Sequence, residues 1–403
     1  AMIDLQKLTA PTIQEFLIQH EDSDLSALIL SGNSVAGIPI TLLAEQIQSR
    51  RKAKNKLPKW YNTSGIVFPP PLSLEQASSE ETGKYKADML AEKGQKLLDL
   101  TGGMGIDSSF FAEVMQQVTY VERQPNLVSC FEHNSRLMGI DNCQYIAADG
   151  LDYLQQVVKN EYDVIFLDPA RRDDQKNKVI ALDQCEPDVS QLWQELLEKS
   201  PTVMIKLSPM LDITHTIAAL GKVSGVHVVA VENECKELLF VLERGFDGEA
   251  KIYTINIQKT DKQTFSFNRS EEQAAVAGLG GEGLFLYEPN ASVLKSGAFK
   301  VTASKMGLLK MHEHTHLYLS DKLVDGFPGK TYCIQKQYVA NKKSIKSNLN
   351  GLAVSIKSRN YPESATMIRK KYKLRDGNQR YVFFATVRTG VAEQKYVFEC
   401  VKA

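Results

Sequence analysis

The sequence has few cysteines and lacks any apolar run long enough to cross a bilayer. Its six cysteines are scattered, and none belongs to a C-x-x-C pair. This spacing argues against a structural zinc site and against a disulfide framework. The first residues also lack a signal-peptide pattern. We therefore expect a cytoplasmic protein with reduced thiols and no membrane partner.

An excess charge of either sign is also absent, since the formal net charge is +0. The distribution is nevertheless uneven, because residues 330–380 contain thirteen Lys and Arg against two acids, a difference of +11. A basic module beside a neutral-to-acidic remainder is typical of proteins that bind nucleic acid. The alternative is a solvated basic surface without a partner. Interleaved tyrosines, among them Tyr338, Tyr361, Tyr372 and the adjacent Tyr381, offer stacking surfaces.

The length of 403 residues predicts more than one hydrophobic core. Apolar residues at three-to-four spacing predict an N-terminal helical domain, followed by a proline-rich linker, over residues 1–71. Alternating strand and helix patterns predict an α/β domain over residues 72–245. Strands dominate thereafter, so residues 246–403 should form an α+β domain.

The most informative stretch runs from Leu97 to Asp107. An apolar run ends at Asp99, a glycine-rich turn follows, and residues at helical spacing come next, so the turn joins a buried strand to an amphipathic helix. Glycine allows a sharp turn and lets a ligand approach the backbone closely. Backbone N–H groups at such a helix start favour a carboxylate or a phosphate.

Two classes of ligand use a turn of this kind. A dinucleotide-binding turn needs a third small residue, Gly or Ala, where this chain has Ser108. Asp99 would also place a negative charge beside a pyrophosphate. A ligand with a cation next to its carboxylate, such as S-adenosylmethionine, suits that acid better. A helix-capping turn without a ligand is the remaining alternative.

Acids follow the ends of three further predicted strands. Glu122 lies 23 positions after Asp99, close to the offset at which an acid reaches a ribose. Asp149 could accept a hydrogen bond from the amine of adenine. Asp168 ends a continuous apolar strand that is typical of the centre of a parallel sheet. Because ligands bind beyond the carboxyl ends of such strands, Asp168 should face the reacting group.

These motifs occur in order, and residues 97–242 resemble the core of the class I S-adenosylmethionine-dependent methyltransferases. The C-terminal part resembles the THUMP-like domain of a bacterial group of these enzymes, through Tyr287-Glu288-Pro289-Asn290-Ala291 and Arg359-Asn360-Tyr361-Pro362. The resemblance implies an α/β fold with a Rossmann-like seven-stranded sheet whose last strand is antiparallel, together with an N-terminal helical segment and a C-terminal α+β domain. It also implies an RNA substrate.

The resemblance further implies S-adenosyl-L-methionine as cofactor, with Asp168 and Pro169 as catalytic residues, and we add Arg171 as the third catalytic candidate. Gln76, Ser79, Thr82 and Lys86, just before the first strand, are candidate neighbours of the cofactor, or else a capped and solvated helix face. The cofactor-binding residues that it implies are Asp99, Thr101, Gly102, Gly103, Gly105, Glu122, Arg123, Asp149, Gly150 and Asp168.

The chain departs from the amine-methylating families after Asp168-Pro169, where Ala170 and Arg171 replace a proline and an aromatic residue. Asp168 and the carbonyl of Pro169 could still accept hydrogen bonds from an exocyclic amine. Arg171 would then act as a clamp on base or phosphate. Methylation of a base carbon through Cys235 is a weaker option. The alternating histidines of residues 311–316 lack a separate ligand pair, so we expect no metal.

The sequence therefore predicts a methyltransferase that acts on an RNA base, in tRNA or rRNA. One alternative is a methyltransferase of a protein or a small molecule, in which the basic domain makes another contact. The other is a nucleic-acid-binding protein whose Rossmann-like core holds a cofactor without turnover.

Overall fold

The structure is a computed structural model that describes residues 5–32, 34–171 and 182–403. Arg171 is described by its backbone alone. Within these ranges, no helix combines the length and the apolar character that a membrane span requires.

The chain divides into two compact units, each assembled from two segments of the sequence. The first unit consists of Ala1–Val223 and Phe240–Asp247, and the second of Ser224–Leu239 and Gly248–Ala403. The domain boundaries that the sequence suggests, at residues 71 and 245, stay predictions.

The N-terminal part of the first unit is helical, as predicted, because its apolar residues recur at helical spacing and pack into one cluster. Pro11 and Pro58 begin their helices, where a missing N–H costs no hydrogen bond. The elements of this part are α1 (Leu5–Leu8), α2 (Pro11–Gln19), α3 (Leu25–Leu30), β1 (Ser34–Val35), β2 (Ile38–Pro39), α4 (Ile40–Lys56), α5 (Pro58–Asn62), α6 (Pro71–Gln76) and α7 (Glu80–Leu90).

Five strands form the parallel sheet of the first unit, in the spatial order β5-β4-β3-β6-β9. β6 and β9 are buried along their whole length, as expected for strands covered on both faces. Because parallel strands point the same way, the residues that follow their carboxyl ends gather at one edge. The strands are β3 (Lys96–Asp99), β4 (Gln117–Glu122), β5 (Cys143–Ala147), β6 (Val164–Leu167) and β9 (Thr202–Leu207). A separate, short antiparallel pair consists of β7 (Ala170–Arg171) and β8 (Cys185–Glu186).

The helices between these strands begin at residues suited to the task. Asp149, Asp188 and Asp212 each accept backbone N–H groups at a helix N-terminus, which satisfies donors that the helix leaves unpaired. The helices are α8 (Ile106–Val114), α9 (Pro125–Leu137), α10 (Gly150–Gln156), α11 (Val189–Lys199) and α12 (Ile213–Leu220), with one 3-10 turn at Leu182–Gln184.

β10 (Val223–Val231) and β11 (Glu234–Glu243) form a hairpin, and the part of it from Ser224 to Leu239 belongs to the second unit. Its two turn residues, Glu232 and Asn233, both have positive φ, at 48° and 66°. A two-residue turn of this kind joins antiparallel strands, so the predicted antiparallel ending is confirmed. Two strands that the sequence assigned to the C-terminal domain extend from β10: β12 (Lys251–Ile257) pairs with β10 in parallel, and β13 (Lys262–Asn268) pairs with β12 in antiparallel orientation.

The rest of the second unit is a seven-stranded sheet in the order β15-β16-β14-β17-β20-β19-β18. Helices α16 and α17 pack on one of its faces through an apolar cluster that includes residues of β18, β19 and β20. The elements are α13 (Arg269–Ala274), β14 (Phe285–Pro289), α14 (Ala291–Ser296), α15 (Lys300–Met306), β15 (Leu309–His312), β16 (Thr315–Ser320), β17 (Gly329–Val339), α16 (Lys342–Leu349), β18 (Ala353–Arg359), α17 (Ala365–Tyr372), β19 (Arg375–Thr389) and β20 (Ala392–Lys402).

The two C-terminal sequence motifs meet within this second unit. Glu288, in the first motif, accepts from Arg359 Nη2, in the second, at 2.7 Å. Glu288 is almost buried, and it also accepts from Tyr332 Oη at 3.2 Å. The motif acid thus ties β14 to β17 and β18. With a parallel α/β sheet in one unit and an α+β sheet in the other, the predicted fold class is confirmed.

Candidate active site

The glycine-rich turn after β3 has the geometry that only glycine allows. Gly103 and Gly105 have positive φ, at 53° and 76°. A Cβ on Gly105 would overlap the ring of Phe131, and one on Gly102 would overlap the ring of Tyr120. Tyr120 Oη, on β4, donates to Gly103 O at 2.5 Å, and this hydrogen bond holds the turn against the neighbouring strand. The turn therefore exposes backbone, and α8 begins directly behind it.

Asp99 is buried at the end of β3, with 1% of its surface exposed. Its Oδ1 accepts from the backbone N–H of Thr101 at 3.0 Å, and its Oδ2 accepts from Ser108 Oγ at 2.6 Å. Burial raises the pKa of Asp99 to about 7, although these hydrogen bonds oppose the shift. A nearby cation would therefore favour the ionised form of Asp99.

Glu122 is held rigidly at the end of β4. Its two carboxylate oxygens accept from the backbone N–H groups of Gly103, at 3.0 Å, and Gln124, at 2.9 Å. A carboxylate offers about four acceptor positions. The side chain can therefore accept two further hydrogen bonds, as the hydroxyl pair of a ribose would provide.

Asp149 follows β5 and caps α10, with Oδ1 accepting from Leu151 N–H at 2.9 Å. Its Oδ2 has no partner among the described residues. Gly150 comes so close to the backbone of Leu100 that a Cβ would overlap Leu100 O. This close approach brings the ends of β3 and β5 together.

Asp168 follows β6 and is anchored at two points. Its backbone N–H donates to Thr101 Oγ1 at 2.6 Å, which ties it to the glycine turn. Its Oδ2 lies 2.6 Å from Lys206 Nζ, an ion pair in which the side chain of Lys206 is 10% exposed and that of Asp168 38%. Lys206 is the penultimate residue of β9, and no sequence motif indicated it.

A second ion pair is buried at the start of α8. Lys86 Nζ lies 3.2 Å from Asp107 Oδ1 and donates to Ser78 Oγ at 3.0 Å, while Ser78 Oγ donates to Asp107 Oδ2 at 2.9 Å. Burial alone would raise the pKa of Asp107, but the charges of Lys86 and Lys206 lower it. Among the described residues, the buried Asp107 Oδ1 has this charged neighbour without a well-aligned hydrogen bond.

These side chains surround a groove with two adjoining lobes, of about 370 and 270 Å³. All the residues that line the two lobes belong to the first unit. Four of them are shared by the two lobes: Thr101, Gly103, Leu127 and Asp168. The larger lobe also contains Leu100, Glu122, Arg123, Gln124, Asp149, Gly150, Leu151, Ala170, Glu186 and Pro187. The smaller lobe also contains Pro70, Ser73, Gln76, Ala77, Ser78, Asp99, Gly102, Met104, Ile106, Asp107 and Phe166.

The groove brings together most of the residues that the sequence singled out. Gly105 and Pro169 are not among the residues lining the two lobes, and the side chain of Arg171 lies outside the described part of the chain. Of the four candidates before β3, Gln76 lines the smaller lobe and Lys86 lies behind it, whereas Ser79 and Thr82 form a capping box. The residues that line the lobes or support them are Asp99, Thr101, Gly102, Gly103, Glu122, Arg123, Asp149, Gly150 and Asp168.

Sequence reasoning missed Lys206, Ser78 and Asp107. A lysine at the end of a buried strand is itself a signal, because an unpaired charge is costly to bury. Ser78 is adjacent to Ser79, and the sequence does not show that Ser79 caps α7 while Ser78 contacts Lys86 and Asp107.

Two weaker candidates belong to the second unit and have structural partners there. Cys235 Sγ donates to Ala291 O at 3.3 Å, and burial raises the pKa of its thiol to about 11, so it is poorly suited to act as a nucleophile. His312 Nε2 lies 2.9 Å from Glu393 Oε1. In the described ranges, no group of His, Cys, Asp and Glu side chains has the arrangement of a metal site.

A parallel sheet with a glycine turn and acids at successive strand ends defines a Rossmann-like methyltransferase core, and comparisons with known proteins agree. Residues 94–258 match a family model described as RNA cap guanine-N2 methyltransferase. Residues 285–328 match a ferredoxin-like domain, and residues 329–402 a THUMP domain-like family.

Curated relatives match part of this chain. The ribosomal RNA small subunit methyltransferase J of Acinetobacter baumannii (strain AYE) is 33% identical over 125 residues, which cover 27% of this chain and 44% of the relative. An uncharacterized RNA methyltransferase of Clostridium tetani (strain Massachusetts / E88) is 31% identical over 105 residues, covering 25% and 23%. The chain therefore spans less than half the length of these curated relatives.

The match to a solved structure extends over the whole length. A crystal structure of a candidate methyltransferase from Porphyromonas gingivalis W83 superposes with a TM-score of 0.88 at 30% identity and covers 100% of both chains. The chain belongs to the class I S-adenosylmethionine-dependent methyltransferases that carry a C-terminal THUMP-like domain. The family resemblance seen in the sequence is confirmed.

Proposed function

We propose that this protein transfers the methyl group of S-adenosyl-L-methionine to a base of RNA. The observation that carries the proposal is the groove at the carboxyl edge of the parallel sheet. Asp99, Glu122, Asp149 and Asp168 reach it from four different strands, around a glycine turn. Such a convergence suits a ligand with an adenine, a ribose and a charged tail.

The residues present fit this cofactor. Glu122 has acceptor positions left for two ribose hydroxyls, and Asp149 Oδ2 is available for the adenine amine. Leu127 and Leu151 offer apolar surface for the ring. Asp99 and the exposed backbone of the turn suit the amino-acid end. When bound, the cofactor supplies an electrophilic methyl group on a sulfonium.

The acceptor that this site favours is an exocyclic amine, such as N2 of guanine. The family whose model matches the core is described by that target. The nitrogen of such an amine shares its lone pair with the ring, so an acceptor of its N–H bonds helps to free that pair for attack. Asp168 can serve as that acceptor, because Thr101 and Lys206 fix it at the groove.

RNA as the substrate is supported by the outer surface of α16 and α17. These helices contact each other and pack on the same sheet face through Ile345 and Ile368. Within the described ranges, five of their lysines are exposed and form no ion pair: Lys342, Lys343, Lys346, Lys370 and Lys373, the last at the C-cap of α17. We call these five residues the basic helical surface.

Not every charge in residues 330–380 contributes to this surface. Lys371 pairs with Glu363 at 2.6 Å, and Arg359 pairs with Glu288. Arg369 pairs with Asp376. Exposed and unpaired lysines attract phosphate more effectively than neutralised ones, so RNA affinity should depend on the basic helical surface.

The first test is transfer of labelled methyl from S-adenosylmethionine into RNA, protein and small-molecule fractions of a matched extract. We expect saturable label in RNA that disappears after ribonuclease treatment. Label in protein or in small molecules would support the alternative substrates. Tight RNA binding without transfer to any fraction would support a binding protein, and would contradict the proposed activity.

The second test addresses the RNA contact alone. Converting Lys342, Lys343 and Lys346 together to Glu should weaken RNA binding and flatten its salt dependence, by roughly 0.7 in the log–log slope per lost phosphate contact on a single strand. A matched control makes the same charge change at three exposed and scattered lysines of the second unit: Lys259, Lys322 and Lys402. Equal slopes in both variants would remove the basic helical surface from the proposal.

A further inference from the structure

The ion pair between Lys206 and Asp168 follows from the register of two neighbouring strands. β6 and β9 are parallel, and Leu167 lies opposite Ile205. Asp168 directly follows Leu167, and Lys206 directly follows Ile205. These two residues therefore lie side by side, and their side chains meet at the edge of the groove. Nζ and Oδ2 are 2.6 Å apart. Lys206 is 8% exposed, so its charge is desolvated and its partner matters.

The surroundings of this pair contain further charges. Asp99, on β3, interacts electrostatically with Asp168, and Asp107, on α8, interacts with Lys206. Lys86, on α7, is paired with Asp107. Without Lys206, the carboxylate of Asp168 would lack its cation and would still have Asp99 as an acidic neighbour. The cation therefore compensates the negative charges around Asp168.

The two oxygens of Asp168 have different surroundings. Oδ2 is occupied by Lys206, whereas Oδ1 has no hydrogen-bond partner among the described residues. Asp168 lines both lobes of the groove, and its side chain is 38% exposed. One oxygen is thus anchored to the protein, and the other is available to a ligand.

We propose that Lys206 is a positioning residue for methyl transfer, which holds Asp168 Oδ2 so that Oδ1 accepts an N–H of the acceptor amine. This rests on the proposed function. In the reaction, the amine nitrogen forms a bond to the methyl carbon. The bond from that carbon to sulfur breaks and leaves its electron pair on sulfur, and the nitrogen releases one proton to water. Asp168 directs the lone pair of the nitrogen throughout, and Lys206 directs Asp168.

The test compares Lys206→Met, which keeps the length of the side chain, with Lys206→Arg, which keeps the charge. Lys199→Met is the matched control: Lys199 donates to Val157 O at 2.6 Å and does not line either lobe. For each variant we would measure kcat on RNA, the Kd of S-adenosylmethionine by calorimetry, the RNA affinity in the presence of S-adenosylhomocysteine, and the thermal midpoint.

Lys206→Met should lower kcat on the order of a hundredfold, the scale on which a misplaced catalytic group acts. Both affinities should stay within about twofold of the wild type, and Lys206→Arg should recover most of the rate. If Lys206→Met does not fold, Lys206→Gln replaces it: Gln is polar but uncharged and shorter, so kcat should fall in the same direction, with both affinities retained.

Three outcomes would overturn the inference: a native kcat in Lys206→Met, a cofactor Kd that weakens in parallel with kcat, or an Arg variant no better than the Met variant. The second outcome would make Lys206 part of the cofactor site instead. A wild-type protein that binds cofactor but methylates no RNA would overturn the proposed function, and this inference with it.

Discussion

Replacing Asp99 with Asn should remove part of the pH dependence of stability between about pH 4 and pH 7. Burial raises the pKa of Asp99 from its ordinary value of 3.8 to about 7. The folded state therefore binds a proton that the unfolded state has released over this range. The stability that Asp99 contributes is complete below pH 3.8 and is lost as the pH rises to about 7.

The size of the effect follows from the difference between the two pKa values. Each tenfold step in proton affinity corresponds to about 1.4 kcal/mol, so three steps correspond to about 4 kcal/mol. Asn matches the shape of Asp and keeps an oxygen for the N–H of Thr101, and its amide can donate to Ser108 Oγ. Relative to the wild type, Asp99→Asn should therefore gain up to about 4 kcal/mol on going from pH 4 to pH 8.

Tryptophan fluorescence in urea can measure this change, because the two tryptophans, Trp60 and Trp193, both lie in the first unit. Unfolding curves at pH 4, 5, 6, 7 and 8 would give the free energy of unfolding for each variant. Asp24→Asn, at the exposed cap of α3, controls for the loss of a carboxylate as such. Parallel pH profiles for the wild type and Asp99→Asn would refute the reasoning.

Three further outcomes are expected. Glu122→Ala should weaken S-adenosylmethionine binding by about 1.5–3 kcal/mol in calorimetry, the range for hydrogen bonds to a charged group; an unchanged affinity in the folded variant would contradict the ribose assignment. Gly105→Ala should lower the free energy of unfolding by about 1–3 kcal/mol or more in urea titrations. The backbone at this position has a φ of +76°, and the added Cβ would overlap Phe131. An unchanged free energy of unfolding would contradict this strain. Asp168→Asn should reduce methyl transfer on the order of a hundredfold in a labelled assay while calorimetry shows an unchanged cofactor Kd, and a native rate would reduce Asp168 to a strand-end cap.

The sequence predicted the acids of the groove because parallel strands bring their carboxyl ends to one edge. Asp99, Glu122, Asp149 and Asp168 each follow an apolar run, so their common location needed no knowledge of strand order. It did not show which strand pairs with which. β12 and β13, which lie beyond the predicted boundary at residue 245, extend from β10, because Val226 pairs with Ile252 over a register that no sequence periodicity specifies.

The same limit explains the residues that sequence reasoning missed. Lys206 lies 38 positions from Asp168, and only the pairing of Leu167 with Ile205 makes the two side chains neighbours. Asp107 similarly appears in sequence as part of a glycine turn, yet its partner, Lys86, comes from a helix that precedes the sheet. Motifs identify groups that contact a ligand directly, whereas the cations that compensate them are fixed by register and packing.

This distinction bears on how the site works. Three buried or half-buried acids, Asp99, Asp107 and Asp168, lie within one groove, and two lysines balance them. Asp99 is the acid without a lysine partner, and its pKa is the one raised to about 7. The cationic end of S-adenosylmethionine is the natural charge to complete that balance. Binding of the cofactor near pH 7 should then ionise Asp99 and release a fraction of a proton, which calorimetry in buffers of different ionisation enthalpy would detect. The release should vanish in Asp99→Asn, and a release that persists in that variant would assign the proton to another group.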